Sequence, residues 1–253
     1  MLNFSNKTVL VTGGSRGIGK AIAIAFASRG ARVAILYKSN QQAAATTQAK
    51  LQGQGHLAIQ ADVADAESVK SAVEECINKF GELNILVNNA GIGIYHPLVS
   101  SDYNQWQEAW QQTIQANLIG PANLCFCAAM HMIENGGGRI VNVSSRGAFR
   151  GEPIKPAYGA SKAGLNSLTQ SLAVALGSHN IFVAAVAPGF VNTELTAERM
   201  SSSEGDEIRA QSPLQRIAEP KDVAHAVLFL ASDGAEFSTG TIIDVNGASY
   251  LRS

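Results

Sequence analysis

From the N-terminus, short runs of β-branched and aliphatic residues alternate with longer stretches whose apolar positions recur every three to four residues. Thr8 to Thr12 is the first short run. Gly17 to Ser28 follows, with Ile18, Ile22, Ala25 and Phe26 along one helical stripe. Arg32 to Tyr37 reads as a second strand, Gln41 to Gln52 as a polar, alanine-rich helix, and His56 to Ala61 as a third strand. Glu67 to Phe80 places Val69, Val73, Cys76, Ile77 and Phe80 on one face. Leu83 to Val87 and Arg139 to Val143 show almost no polar alternation, as expected of strands covered on both faces. Ile181 to Ala187 and Thr241 to Val245 bring the set to about seven strands. This alternation predicts βαβ units, a parallel sheet and right-handed crossovers that place helices on both faces, a doubly wound α/β architecture.

No internal repeat and no linker interrupts the 253 residues, so residues 1–253 are expected to form a single domain. Ser201 to Asp206 is the one stretch that resembles a mobile loop. It lies between two strands of the same sheet and reads as part of a lid over residues 190–212. The formal net charge of −1, without a basic run, gives no footprint for nucleic acid. The first apolar run, Val9 to Val11, is too short to span a bilayer and follows no charged leader, so a cytoplasmic location without membrane attachment is expected. Cys76, Cys125 and Cys127 are odd in number and form no disulfide framework. Cys125 and Cys127 fall in a helical segment and read as buried thiols, and no metal site is expected.

The first strand runs into Thr12-Gly13-Gly14-Ser15-Arg16-Gly17-Ile18-Gly19. Strand, glycines and helix in that order suit a pyrophosphate. Glycines let the backbone approach the phosphates, and the helix N-terminus offers unpaired N–H groups at the positive end of its dipole. Four further motifs follow in order. Asn88-Asn89-Ala90-Gly91 ends the fourth strand, then come Asn117, Ser145 with Tyr158-Gly159-Ala160-Ser161-Lys162, and Pro188-Gly189 after the sixth strand. Together they resemble the short-chain dehydrogenase/reductase family over nearly the whole chain. The resemblance implies a Rossmann fold and hydride transfer between a nicotinamide cofactor and a carbonyl or alcohol.

In NAD-dependent dinucleotide folds an acidic residue about 20 positions beyond the glycines binds the ribose 2′-OH. The second strand here ends at Tyr37-Lys38-Ser39, and Arg16 projects from the glycine loop. Two cations can neutralise a 2′-phosphate, and Arg offers a forked donor, so NADP(H) is favoured over NAD(H). By resemblance, Gly13, Ser15, Arg16, Gly17, Ile18 and Gly19 cradle the phosphates, with Tyr37, Lys38 and Ser39 beside the 2′ position. Asp62 and Val63 would meet the adenine, and Asn89, Ala90 and Gly91 the adenosine ribose. Pro188, Gly189, Val191 and Thr193, with Tyr158 and Lys162, complete the nicotinamide end. Asp62 also suits the N-cap of the following helix.

Tyr158 and Lys162 are four residues apart in a helix-forming segment and share a face. An ordinary Tyr, with a pKa of about 10, is a poor acid or base near neutral pH. A nearby ammonium favours phenolate, so Lys162 is expected to lower the Tyr158 pKa. The resemblance makes Tyr158 the general acid in reduction and the base in oxidation. Ser145 donates to the substrate oxygen, Lys162 binds the nicotinamide ribose, and Asn117 holds a water that links Lys162 to solvent. Of Ser144 and Ser145, the thirteen-residue spacing to Tyr158 selects Ser145 by family resemblance.

Substrate is less legible. Ile94, Tyr95, Phe190, Leu195 and Met200 suggest an apolar wall and His96 is placed to line the cleft, while Arg146 and Arg150 near the serine read as structural or surface cations, with an anionic group of the substrate as the alternative partner. The subfamily resemblance is to 3-oxoacyl-acyl-carrier-protein reductases and to related sugar or alcohol dehydrogenases. Carrier-dependent members tend to carry exposed arginines where this chain has Gly136 and His179, which weakens acyl carrier protein as a partner. Asn246-Gly247-Ala248 replaces the usual Asp-Gly-Gly at an end that belongs to subunit packing, where the family implies a homotetramer or dimer. The leading reading is an NADPH-dependent ketone reductase of 3-oxoacyl type acting on a small-molecule carbonyl. The alternatives are an NADP-linked alcohol or sugar dehydrogenase, and a non-catalytic NADP(H)-sensing regulator.

Overall fold

The structure is a computed structural model and describes residues 2–194 and 196–252. The runs without polar alternation occupy the middle of the sheet, buried almost residue for residue. They are β1 (Thr8–Thr12), β4 (Ile85–Asn88), β5 (Gly138–Val143) and β6 (Ile181–Pro188). β2 (Arg32–Tyr37) and β3 (Leu57–Gln60) extend the sheet on one side, and β7 (Ile242–Val245) closes the other. The order is β3-β2-β1-β4-β5-β6-β7, and every pairing is parallel. The direction of winding reverses between β1 and β4, which opens a crevice at the carboxyl ends of these strands.

Helices cover both faces. α1 (Gly17–Ala27) and α10 (Pro220–Leu230) bury Ile22, Phe26, Val223 and Val227 against Val9, Val11, Ile35 and Val186. The opposite core joins α3 (Ala66–Phe80) and α5 (Gly120–Glu134) to Leu10, Leu86 and Ile140 through Val73, Cys76, Leu124 and Met132. Burying a large aliphatic side chain contributes about 1.5–3 kcal/mol, so these two layers fix the sheet that carries the loops. α2 (Gln41–Gln48) follows β2, and α6 (Gly147–Arg150) and α7 (Pro156–Leu176) follow β5. α4 (Tyr103–Ile114) passes through a π turn (Gln115–Ile119) into α5. The continuous stretch Tyr103–Glu134 is long and apolar enough to cross a bilayer, yet half of its apolar window is buried within the fold. Cys76 and Cys125 are buried and Cys127 is half-buried, all three as free thiols.

Two expectations change. Ser201 to Asp206 is mostly not a loop: α8 (Ala197–Met200) ends just before it, Ser201 and Ser202 form a short turn, and α9 (Ser203–Ala210) begins at Ser203. Glu204 and Asp206 sit in the first turn of α9 and Arg209 in its last, with Arg209 paired to Asp206 at 2.6 Å. That charge order complements the helix dipole, and it was hidden by three serines in a row. The N-cap of α3 is Asp65, whose carboxylate accepts from Ser68 N at 2.9 Å, so Asp62 is released from that role.

Candidate active site

The glycine loop between β1 and α1 is held from three sides. Thr12 is 1% exposed, and its Oγ1 accepts from Asn89 N and from Ala90 N, each at 2.9 Å. Asn89 Nδ2 donates back to Thr12 O at 2.9 Å and to Gly13 O at 3.3 Å. Thr47 Oγ1 donates to Ser15 O at 2.8 Å. Gly13 (φ 62°) and Gly17 (φ 52°) adopt left-handed backbone that a side chain would strain. Arg16 stands at the N-cap of α1 with no side-chain cap bond, and no acid lies in the first turn, so the N–H groups of Gly17, Ile18 and Gly19 open onto the crevice. Thr12 and Thr47 were not singled out from the sequence, because a hydroxyl that ties two loops has no local signature.

Around this loop the structure gathers most of the other predicted residues. Tyr37 ends β2 half-buried, with Lys38 and Ser39 exposed beside it. Lys38 Nζ lies 2.7 Å from Asp62 Oδ2, and Asp62 also accepts from Ala64 N at 3.0 Å. Burial raises the Asp62 pKa, but the Lys38 ammonium and the Ala64 amide outweigh it and hold the carboxyl below its ordinary range. Among the described residues Arg16 has no ion pair. Val63 packs over Gly120 at the start of α5. A methyl group added at Gly17 would come within 3.2 Å of Thr193 Cγ2, so residue 193 closes over the first turn of α1. Pro188 O accepts from Arg146 N, Gly189 N donates to Val245 O, and Val191 bridges to Ala218. These bonds fix the path of the segment after β6.

The four residues proposed for chemistry converge where β4, β5 and α7 meet. Lys162 is 4% exposed and donates from Nζ to Val143 O at 2.8 Å. Its Nζ lies 5.9 Å from the centroid of the Tyr158 ring and close to Gly91. Burial alone pushes its pKa down to about 8. Ser145 accepts from Gly147 N at 3.0 Å and faces the Tyr158 phenol. Ser144, by contrast, is buried and turned toward Lys162 O. The Tyr158 pKa lies above its ordinary value: burial raises it, the Ser145 hydroxyl opposes, and the Glu152 carboxylate raises it further. This reverses the expectation from Lys162. The ammonium is turned into a strand carbonyl rather than toward the phenol oxygen, and burial weakens its hold on its own proton.

Asn117 sits in the π turn. Its Oδ1 accepts from Ile92 N at 2.8 Å, while Nδ2 donates to Ile92 O at 2.8 Å and to Ser161 Oγ at 3.1 Å. The side chain is therefore committed to the backbone after Gly91. A water here would have to sit on main-chain carbonyls, which a π turn leaves free.

The apolar wall is divided. Ile94 and Tyr95 line a cavity of about 430 Å3 against α4, whereas Phe190 lines another of about 190 Å3 with Arg146. Met200 is buried, and Leu195 lies outside the described residues. His96 does not line an open cleft. It is 1% exposed, its Nδ1 is 2.8 Å from Ile94 O, and its Nε2 accepts from Ala157 N at 3.2 Å. Those contacts require a neutral ring with the proton on Nδ1, and they make His96 a brace for the start of α7. Glu152 packs against Gly147, and Lys155 lies along Gly93 beside Tyr158, so both charges border the phenol. Neither was picked out from the sequence. Among the described residues no group of three His, Cys, Asp or Glu side chains is placed to hold a metal ion.

A phosphate-binding first turn at the switch point, with a phenol, a hydroxyl and an ammonium beside it, defines a nucleotide-dependent oxidoreductase. A family model described as Enoyl-(Acyl carrier protein) reductase matches residues 13–248. The chain is 40% identical over 247 residues to a 3-oxoacyl-(acyl-carrier-protein) reductase FabG of Staphylococcus aureus, covering 97% of this chain and 98% of that one. It is 38% identical to an L-rhamnose 1-dehydrogenase (NAD(P)(+)) of Sphingomonas sp., covering 97% of each. A short chain dehydrogenase from Burkholderia cenocepacia, solved in complex with NADP, superposes with a TM-score of 0.89 at 35% identity over 98% of this chain and 99% of that one. The chain belongs to the short-chain dehydrogenase/reductase family, enzymes that act on CH–OH and C=O groups with a nicotinamide cofactor.

Proposed function

We propose that the protein is an NADPH-dependent reductase of small ketones, of 3-oxoacyl type, with Tyr158 as the proton donor. The observation that carries this reading is that the buried Tyr158 phenol faces the Ser145 hydroxyl, with Lys162 Nζ 5.9 Å from its ring centroid and Glu152 and burial favouring the protonated form. A neutral phenol suits reduction, where a proton is given to the developing alkoxide. When bound, the nicotinamide supplies the hydride. Gly13, Ser15, Gly17, Ile18 and Gly19 fit its pyrophosphate, because the α1 N-terminus has no side-chain cap and Gly13 and Gly17 take left-handed backbone that lets the main chain approach closely. Tyr37, Ser39, Asp62, Val63, Asn89, Ala90 and Gly91 form the adenosine side, and Pro188, Gly189, Val191 and Thr193 the nicotinamide side. Ser145 holds the substrate oxygen and stabilises its charge as the proton arrives. Lys162 binds the ribose hydroxyls, and the main chain at Asn117 carries the water that renews the proton.

Arg16, exposed and without an ion pair among the described residues, is the cation that supports a 2′-phosphate, with Lys38 shared between that phosphate and Asp62. The neighbour from B. cenocepacia, solved in complex with NADP, favours the same cofactor. The L-rhamnose dehydrogenase keeps an NADP-linked sugar or alcohol dehydrogenase as the second reading. The segment 190–212 acts as the lid of one domain spanning 1–253. Exposed Phe126, Met130 and Val174 on α5 and α7 support assembly of identical copies into a dimer or tetramer in the cytoplasm.

The test is fluorescence titration with NADPH and with NADH, followed by loss of reduced cofactor across a panel of ketones. Tight NADPH binding, weak NADH binding and consumption with a ketone are expected. Tyr158→Phe should cost at least about a thousandfold in turnover and leave NADPH affinity within a few-fold. Preference for NADH would overturn the 2′-phosphate assignment. Firm binding with no turnover on any carbonyl would favour an NADP(H)-sensing role.

A further inference from the structure

Arg146 is 4% exposed, and the cofactor site does not account for it. Its Nη1 donates to Ser249 Oγ, its Nη2 donates to Gln211 Oε1 at 2.7 Å, and the guanidinium lies 5.0 Å from the Phe190 ring centroid. All three partners are neutral, and among the described residues no carboxylate is paired with it. An arginine carries five N–H donors, and the two bonds above leave most of them unspent. A buried charge without a counter-charge is costly. Burial, reinforced by nearby Arg150, pushes the Arg146 pKa down to about 10, against the weaker pull of Glu152.

The guanidinium lines the cavity of about 190 Å3 formed by Phe190, Ser212, Leu214 and the turn from Asn246 to Ser249. Arg216 on its rim is neutralised by Asp222 at 2.6 Å, so the charge left over in the lining is that of Arg146. The hydroxyl of Ser212 is spent on Gly247 O and the amide of Asn246 on Tyr250 O, which leaves the guanidinium as the main free donor.

We infer that this pocket is a carboxylate subsite, in which a small carboxylate takes the free N–H groups of Arg146 while Phe190 and Leu214 cover its apolar part. A planar fork matches a carboxylate with two parallel hydrogen bonds. Arg146 follows Ser145 directly, so the carboxylate is either the far end of the reduced substrate or a separate small molecule bound beside it. The inference rests on the pocket and does not require the reductase reading to hold.

The test is the thermal stability of the purified protein in rising sodium malonate, against sodium chloride at matched ionic strength. Wild type should show a rise in Tm that sets in near the Kd, reaches roughly 2–4 °C once malonate exceeds it about tenfold and grows logarithmically beyond, with no such rise in chloride. Arg146→Gln should lose the response. Arg146→Lys, which keeps the charge and loses the fork, should need about tenfold more malonate. Should Arg146→Gln fail to fold, Arg146→Lys decides. Equal responses to malonate and chloride in wild type, or a malonate dependence in Arg146→Lys that coincides with that of wild type, overturn the inference. Given the Tm response, malonate that competes with a 3-oxo acid but not with its methyl ester assigns the subsite to the substrate's own carboxylate. Competition with neither assigns it to a separate ligand.

Discussion

Replacing Thr12 by Val keeps the shape of the side chain and removes one oxygen. That oxygen accepts two backbone N–H groups, from Asn89 and Ala90, each at 2.9 Å, at a residue 1% exposed. A buried donor left without a partner costs about 1–3 kcal/mol. Both donors lie in half-buried residues, so the lower half of that range applies to each, and Thr12→Val should destabilise the protein by about 2–4 kcal/mol. For a chain of this size the fall in Tm should be roughly 4–16 °C. Thr12→Ser retains the oxygen and loses a methyl group, and should cost only about 1 kcal/mol. Urea denaturation reads this directly: the midpoint should fall for Thr12→Val with an unchanged slope. The same bonds hold the floor of the crevice to the glycine loop, so NADPH affinity should weaken about tenfold or more in Thr12→Val. Stabilities of the Val and Ser variants within about 0.5 kcal/mol of each other would refute the reasoning, because the hydroxyl would then hold nothing.

Lys162 supplies a prediction with a definite sign. Its pKa in the fold is about 8 against an ordinary 10.5, so the folded state resists carrying the charged form. That penalty, about 3 kcal/mol, is fully present below pH 8 and is relieved as pH rises toward 10.5. Wild-type stability should therefore gain on that of Lys162→Met between these limits, and parallel stability–pH curves for the two proteins would count against it. Arg16→Ala should raise the Kd for NADPH about tenfold and leave NADH unchanged, whereas Lys38→Ala should do less, since Lys38 is already paired with Asp62. Binding isotherms for both cofactors separate the two cases. Glu152→Gln removes a charge that raises the Tyr158 pKa, so the phenol-controlled limb of alcohol oxidation should move to lower pH. A limb that stays in place would mean that Glu152 does not act on the phenol.

The sheet was legible because its central strands are unbroken apolar runs, which a parallel sheet with helices on both faces covers. The glycine loop and the Tyr158–Lys162 pair were legible because both are local: a turn of fixed shape and a helical i, i+4 relation. What the sequence concealed is set by partners distant along the chain. His96 has the look of a cleft residue until Ala157 and Ile94 claim its two nitrogens. Lys38 has the look of a free cation until Asp62 faces it across 24 positions. The direction in which Lys162 points is decided by Val143, nineteen residues earlier. Helix α9 hid behind serines because its support comes from charges within its own turns, a weaker signal than an apolar stripe.

The π turn at Gln115–Ile119 solves a problem of phase. Ala109, Thr113, Asn117, Pro121 and Cys125 are all buried, and they recur at every fourth residue. On an unbroken α-helix each such step overshoots a full turn by about 40°, and four steps would carry the stripe roughly 160° around the axis. One wide turn absorbs a residue and takes back about 100° of that drift. The first half of the helix can then present Asn117 to the loop after Gly91, while the second half still lays Leu124 and Cys125 on the sheet. Losing a single residue between 115 and 119 would act as a frameshift in space: every side chain downstream would keep its identity and face the wrong neighbour.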